Sequence, residues 1–233
     1  MGSRWGFLAR RLFAPSWLLY SFLAQASIHP AVAAEGKTLV LIGASYVESW
    51  GTPELSPYVV INKGVSGQTT DQILARFSDD AVAGKPSTVL IWGHINNVHR
   101  GDRQAMDQVR LRAAADYRAM VAAARAAGIE VVLATEITLS EAVGWRDRLA
   151  ASIGRVLGKR GYAAWVNDHV RSINEWLRDF AKSEGVRLLD FERVFDDGDG
   201  FRKLEYTSPD GTHISAEGYS ALSEYSRSQL HDL

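Results

Sequence analysis

Near its C-terminal end the chain reads Asp210-Gly211-Thr212-His213, followed by Ile214-Ser215-Ala216-Glu217-Gly218-Tyr219. A carboxylate three residues before an imidazole, on a glycine-containing loop ahead of an apolar-periodic helix, can fix the ring's tautomer and stabilise its charged form. Such a histidine is a general base that needs a nucleophile. Ser45 offers one, because it follows the apolar run Thr38-Leu39-Val40-Leu41-Ile42-Gly43 and so stands at a strand end. In the chain order serine, aspartate, histidine, these residues suit attack on an ester carbonyl. Ser45 attacks, His213 takes its proton and returns it to the leaving alcohol, and Asp210 orients the ring.

The tetrahedral intermediate of that reaction carries a negative oxygen. It needs preorganised donors, each worth on the order of 3 kcal/mol. The backbone N–H groups of Ser45 and Gly67 and the side-chain amide of Asn96 are the candidates. Glycine suits such a place because no Cβ blocks approach to its N–H.

These residues must be positioned by elements that the pattern also supplies. Short runs rich in Val, Ile and Leu occur at Thr38–Ile42, Tyr58–Ile61, Thr88–Trp92, Val131–Ala134 and Val186–Leu189. They read as strands covered on both faces. Amphipathic segments lie between them. One starts at Thr69, which Gln72 can cap reciprocally. Others run from about Gln104 to Ala127 before Gly128, from about Val166 to Glu184 before Gly185, and from Ala216 to about Gln229. Alternating β and α elements predict an α/β fold with a parallel sheet and right-handed crossovers, as one domain over residues 35–233. The stretch from Glu136 to Arg160 breaks the pattern. With Glu141, Trp145, Arg146 and Arg148 it reads as an irregular, solvated face with a short helix. Ser45, Ser66-Gly67, Asn96-Asn97 and Asp210/His213 all follow strand ends, the rim where open α/β sheets bind ligands.

Composition narrows the function. The chain has 233 residues, 46% hydrophobic and 23% charged, enough for one well-packed core. A formal net charge of −1 argues against nucleic acid as a partner, since there is no basic excess to release counterions. With no cysteine, disulfides, thiolate metal sites and a cysteine nucleophile are excluded. Residues 1–34 read as a signal peptide: Arg4, Arg10 and Arg11 precede an apolar stretch from Leu12 to Ile28, and Ala31-Val32-Ala33-Ala34 offers a cleavage site. Pro15, Gln25 and His29-Pro30 interrupt the run, leaving it short for a membrane anchor of roughly 20 residues. The expectation is an exported, periplasmic or secreted protein without a stable anchor. Losing three arginines would take its charge from −1 to −4.

In order along the chain, Gly43-Ala44-Ser45, Asn62-Lys63-Gly64-Val65-Ser66-Gly67-Gln68-Thr69, Trp92-Gly93-His94-Ile95-Asn96-Asn97-Val98 and Asp210-Gly211-Thr212-His213 resemble the four motif blocks of the SGNH hydrolases, the superfamily of GDSL esterases and lipases. The resemblance implies a three-layer α/β/α sandwich on a five-stranded parallel sheet, a flavodoxin-like fold. It also implies hydrolysis of carboxylic esters with Ser45, Asp210 and His213 as triad and Ser45, Gly67 and Asn96 as oxyanion hole, without metal or cofactor. Two positions depart from the family's usual pattern. Ala44 stands where an aspartate usually precedes the serine, and Asn97 where one usually follows the asparagine.

The substrate expected is a short-chain ester, acetyl included, of a carbohydrate or small molecule. Transfer of the acyl group to a glycan hydroxyl is left open by the same residues. So is a weakened envelope- or carbohydrate-binding protein of this fold. His94 and His99 lack the helical spacing and the acids of zinc motifs. Asp196-Asp197-Gly198-Asp199-Gly200 lacks EF-hand spacing and reads as a turn.

Overall fold

The computed structural model describes residues 36–141 and 161–231. The expected signal segment, and Trp145, Arg146, Arg148 and the short helix anticipated near them, lie outside the described residues. Five strands form one sheet: β1 Thr38–Gly43, β2 Val59–Gly64, β3 Thr88–Trp92, β4 Glu130–Ala134 and β5 Arg187–Leu189. Their order is β2-β1-β3-β4-β5 and every pairing is parallel. The helices are α1 Ser45–Trp50, α2 Thr70–Phe77, α3 Ile95–Arg100, α4 Met106–Ala126, α5 Tyr162–Glu184, α6 Phe191–Phe195 and α7 Ala216–Leu230.

Strand alternation explains the layers. Leu39 and Leu41 of β1 join one core with Leu90, Trp92, Val132, Val47 and Trp50 of α1, Phe191 of α6 and Leu222 of α7. Val40 and Ile42 point the other way, to Val89, Ile91, Leu133, Ile73 and Phe77 of α2, and Tyr117 and Met120 of α4. Each such side chain contributes about 1.5–3 kcal/mol on burial, so both faces of the sheet must be covered. That requirement yields the three-layer α/β/α sandwich the sequence predicts. The edge strand β2 differs, with Val59 and Ile61 exposed.

Strand order reverses between β1 and β3, and in this topology the crevice beyond those two carboxyl ends is the binding place. Ser45 follows β1, and His94 to Asn97 follow β3. One expectation is corrected. Glu136, which opens the supposedly solvated stretch after β4, is 1% exposed, and Thr135, Thr138 and Ser140 are buried with it. Asn174 of α5 donates to the Glu136 carbonyl and accepts from its N–H, and Asn167 does the same for Leu139. Two side-chain amides thus replace the strand partner this backbone lacks, which lets an irregular segment lie buried.

Candidate active site

The loop that carries Asp210 and His213 is braced by its own carboxylate. Asp210 Oδ1 accepts hydrogen bonds from the N–H groups of Thr212 (2.8 Å) and His213 (2.9 Å) and from the Ser208 hydroxyl (2.6 Å). Its Oδ2 lies 2.6 Å from His213 Nδ1. The backbone bond from His213, the Ser208 hydroxyl and the imidazole contact together hold the Asp210 carboxyl far below the usual carboxylate range. An ionised carboxylate only accepts, so Nδ1 carries the proton and Nε2 is left with a free lone pair. That is the tautomer a general base requires.

Ser45 is the first residue of α1 and half-buried. Its seat is set by two glycines. A Cβ at Gly43 would stand 1.9 Å from the Trp92 carbonyl oxygen, and one at Gly64 would stand 2.1 Å from the Glu48 amide nitrogen. Both clashes are with backbone, so only glycine lets β1 meet β3 and α1 meet β2 this closely. Asn62 locks the same corner, its amide donating to the Val47 and Gly51 carbonyls. Among the described residues, Ser45 Oγ makes no hydrogen bond to His213, whose placed partner is Asp210. The connection is indirect. The Tyr46 hydroxyl donates to the Thr212 carbonyl (2.9 Å), and the Tyr46 ring meets the His213 ring edge-on at 6.5 Å. The serine's neighbour therefore touches the residues that carry the base.

Gly67 and Asn96 are brought together. Asn96 Nδ2 donates to the Gln68 carbonyl at 3.0 Å, leaving its second N–H free. Gly67 has φ +76°, a left-handed conformation that costs a side-chain-bearing residue steric strain. Beside them Asn97 acts structurally. It accepts from the Thr70 N–H (3.0 Å) and donates to the Thr70 hydroxyl (2.8 Å), which in turn donates to Asp116 of α4 (2.6 Å). With Asp116 as acceptor of that hydroxyl proton, an aspartate at 97 would compete for it, and an amide completes the chain instead. Ala44, the other departure, is 5% exposed, and its Cβ lies 3.5 Å from where a Cβ on Gly93 would stand.

Two supporting residues escape sequence reasoning. Glu136 Oε2 accepts from the N–H groups of His94 (2.8 Å) and Ile95 (3.1 Å), where the chain turns into α3 and presents Asn96. Burial pushes its carboxyl above the ordinary glutamate range even though these bonds oppose the shift. Arg202, 1% exposed, donates to the Thr212 carbonyl at 2.7 Å and so holds the His213 loop from beneath. Neither had a motif to announce it. His94 is structural. It is fully buried, its Nδ1 meets the Tyr117 hydroxyl at 3.1 Å, and burial pushes the imidazole down to about 3, which keeps it neutral. The acidic stretch forms turns, with Asp196 and Asp197 accepting N–H bonds from Gly198 and Asp199. No group of three or more metal-ligating side chains occurs among the described residues.

A model of the GDSL-like lipase/acylhydrolase family matches residues 43–221. No curated protein matches the sequence significantly. Among solved structures, a GDSL-like lipase from Bacteroides thetaiotaomicron is 22% identical, covering 84% of this chain and 89% of its own, with a TM-score of 0.63. An acetylxylan esterase from Geobacillus stearothermophilus is 19% identical, covering 82% and 92%, with a TM-score of 0.56. Catalytic mutants of that esterase replace a serine, an aspartate and a histidine, the last two spaced as Asp210 and His213 are.

Proposed function

Because this chain belongs to the GDSL-like lipase/acylhydrolase family and is a carboxylic ester hydrolase, we propose that it works through Ser45, His213 and Asp210, on short acyl esters of a carbohydrate or small molecule, after export. The observation that carries the triad is the 2.6 Å contact between Asp210 and His213 Nδ1. It leaves Nε2 as the ring's proton acceptor. Ser45 gives its proton to Nε2 as it attacks the ester carbonyl. The tetrahedral oxyanion is held by the N–H groups of Ser45 and Gly67 and the free Asn96 N–H. Collapse expels the alcohol, which takes the proton from His213, and leaves an acyl-enzyme on Ser45. Water then repeats the sequence and frees the acid. A nucleophile–base contact of this kind tightens as substrate is bound, so the triad reading does not require the Ser45–His213 hydrogen bond beforehand.

A short acyl group and a hydrophilic alcohol are supported by the surface near α1. An open depression of about 330 Å³ is lined by Trp50, Pro53, Tyr219, Ser220, Ser223 and Arg227. It adjoins the site through Tyr219, whose hydroxyl donates to the Tyr46 carbonyl at 3.1 Å. Its exposed Arg227 guanidinium and Ser220 hydroxyl oxygen suit a hydrophilic alcohol better than an alkyl chain. The likeness to an acetylxylan esterase agrees with this reading. Export rests on the N-terminal pattern alone; among the described residues no helix is long and apolar enough to cross a membrane. The test is release of p-nitrophenol from p-nitrophenyl acetate. Wild type should turn over and Ser45→Ala should not; equal rates in both would remove Ser45 from the mechanism.

A further inference from the structure

The proposed site has a cationic flank that acyl chemistry does not use. Arg100 closes α3, one turn beyond Asn96, and is exposed. Its Nη2 lies 2.8 Å from where a Cβ on Gly67 would stand, so the guanidinium fills the space a side chain there would occupy. Among the described residues it makes no hydrogen bond and no ion pair. A short way along the chain, Arg103 lies over the rings of Tyr162 (5.2 Å) and Trp165 (4.7 Å), which are themselves stacked 6.0 Å apart at 23°. Tyr162 is 49% exposed, and its hydroxyl meets His99 Nδ1 at 2.7 Å, on the same α3 that carries Asn96 and Arg100. Of the described acids close by in sequence, Asp71 accepts from the Thr69 hydroxyl, Asp102 accepts from the Gln104 N–H, and Asp107 pairs with Arg110.

We infer that this flank is a subsite for a carboxylate-bearing sugar, making the substrate class an acylated acidic glycan. The inference rests on the esterase reading and deepens it. A donor for the reaction oxyanion must be fixed in advance, and Arg100 is held by no hydrogen bond or ion pair among the described residues. An unfixed, exposed guanidinium beside the oxyanion corner is suited instead to a planar anion arriving with substrate, which it can grip through two parallel N–H bonds. Beyond it the half-exposed Tyr162 ring offers apolar surface of the kind a pyranose ring lies against. Overall net charge is only −1, so the cationic patch is a local arrangement and not a by-product of a basic chain.

Titration calorimetry at low salt tests this without turnover. Wild type is titrated with a tetramer of galacturonic acid and with a neutral tetramer of xylose, and Arg100→Met and Arg100→Lys are compared. Wild type should prefer the acidic tetramer by about tenfold or more. Arg100→Met should erase the preference, and Arg100→Lys should keep part of it, since a point charge remains without the fork. Thermal melts of each variant establish that it is folded. Equal affinity for the two tetramers, no binding of either, or unchanged selectivity in Arg100→Met each overturns the subsite. Selective binding by a protein inert toward p-nitrophenyl acetate would sink the esterase reading alone. Turnover without selectivity would sink only the subsite.

Discussion

At the proposed oxyanion corner the supporting side chains are buried, with Asn97 8% and Glu136 1% exposed, whereas at the proposed acid–base loop the Asp210 and His213 side chains are 52% and 47% exposed. The corner is tied to three other elements: Asn97 to Thr70 of α2, Thr70 to Asp116 of α4, and Glu136 to the turn into α3. The loop is braced chiefly by its own carboxylate, with Tyr46 and Arg202 holding one carbonyl from below. The contrast follows from what each part must do. Oxyanion donors help only if they need no rearrangement as charge develops. A base must move its proton from nucleophile to leaving group, and a little play does not harm it.

If that division holds, changes in the loop should cost activity and spare stability, and changes under the corner should do both. His213→Ala should lower kcat on p-nitrophenyl acetate by about 10⁴-fold or more. As an exposed residue it should leave stability within about 0.5 kcal/mol. A large loss of stability in that variant would break the comparison. Next comes Asn96→Ala, expected to reduce kcat by about 10²–10³-fold with KM little changed. A change confined to KM would instead make Asn96 a ground-state contact.

Glu136→Ala should cost about 3 kcal/mol in urea unfolding, because buried N–H groups lose their acceptor. The two regions should also respond oppositely to pH. Burial raises the Glu136 carboxyl, so between the ordinary glutamate range and its raised value the folded chain binds more proton than the unfolded one. Stability there falls as pH rises, and Glu136→Gln should flatten that slope. Asp210 is lowered, so what it contributes is present above the ordinary carboxylate range and lost as pH falls through its depressed folded value. Its exposure keeps that contribution small. Smallest of the set is Asn97→Asp, expected to cost about 1 kcal/mol by setting two carboxylates on the Thr70 hydroxyl. An unchanged or higher melting temperature would show that the corner tolerates the acid.

Much of this was legible in the residues. The strand runs, the Thr69–Gln72 start of α2, the glycines after α4 and α5, and the places of Ser45 and Asn96 just after β1 and β3 all follow from periodicity and turn chemistry. The short helices α1, α3 and α6 were not. Six, six and five residues long, they show too little period to read. Ala44 and His94 are also poor N-caps for the first two. Glu136 was misread because it was grouped with the charged stretch that begins at Glu141, while its partners, the N–H groups of His94 and Ile95, come from the turn into α3, far upstream in the chain. The Asn97–Thr70–Asp116 chain was hidden for a like reason. Asp116 sits midway along α4, where an acid ordinarily signifies a solvated helix face.

The glycine seat beneath Ser45 has a consequence for anyone reshaping this catalyst. With Gly43 against the Trp92 carbonyl and Gly64 against the Glu48 amide, the wall behind the hydroxyl has no adjustable dial. Redesign for bulkier esters would have to work instead from the neighbouring depression, where Ser220 and Arg227 of α7 are exposed.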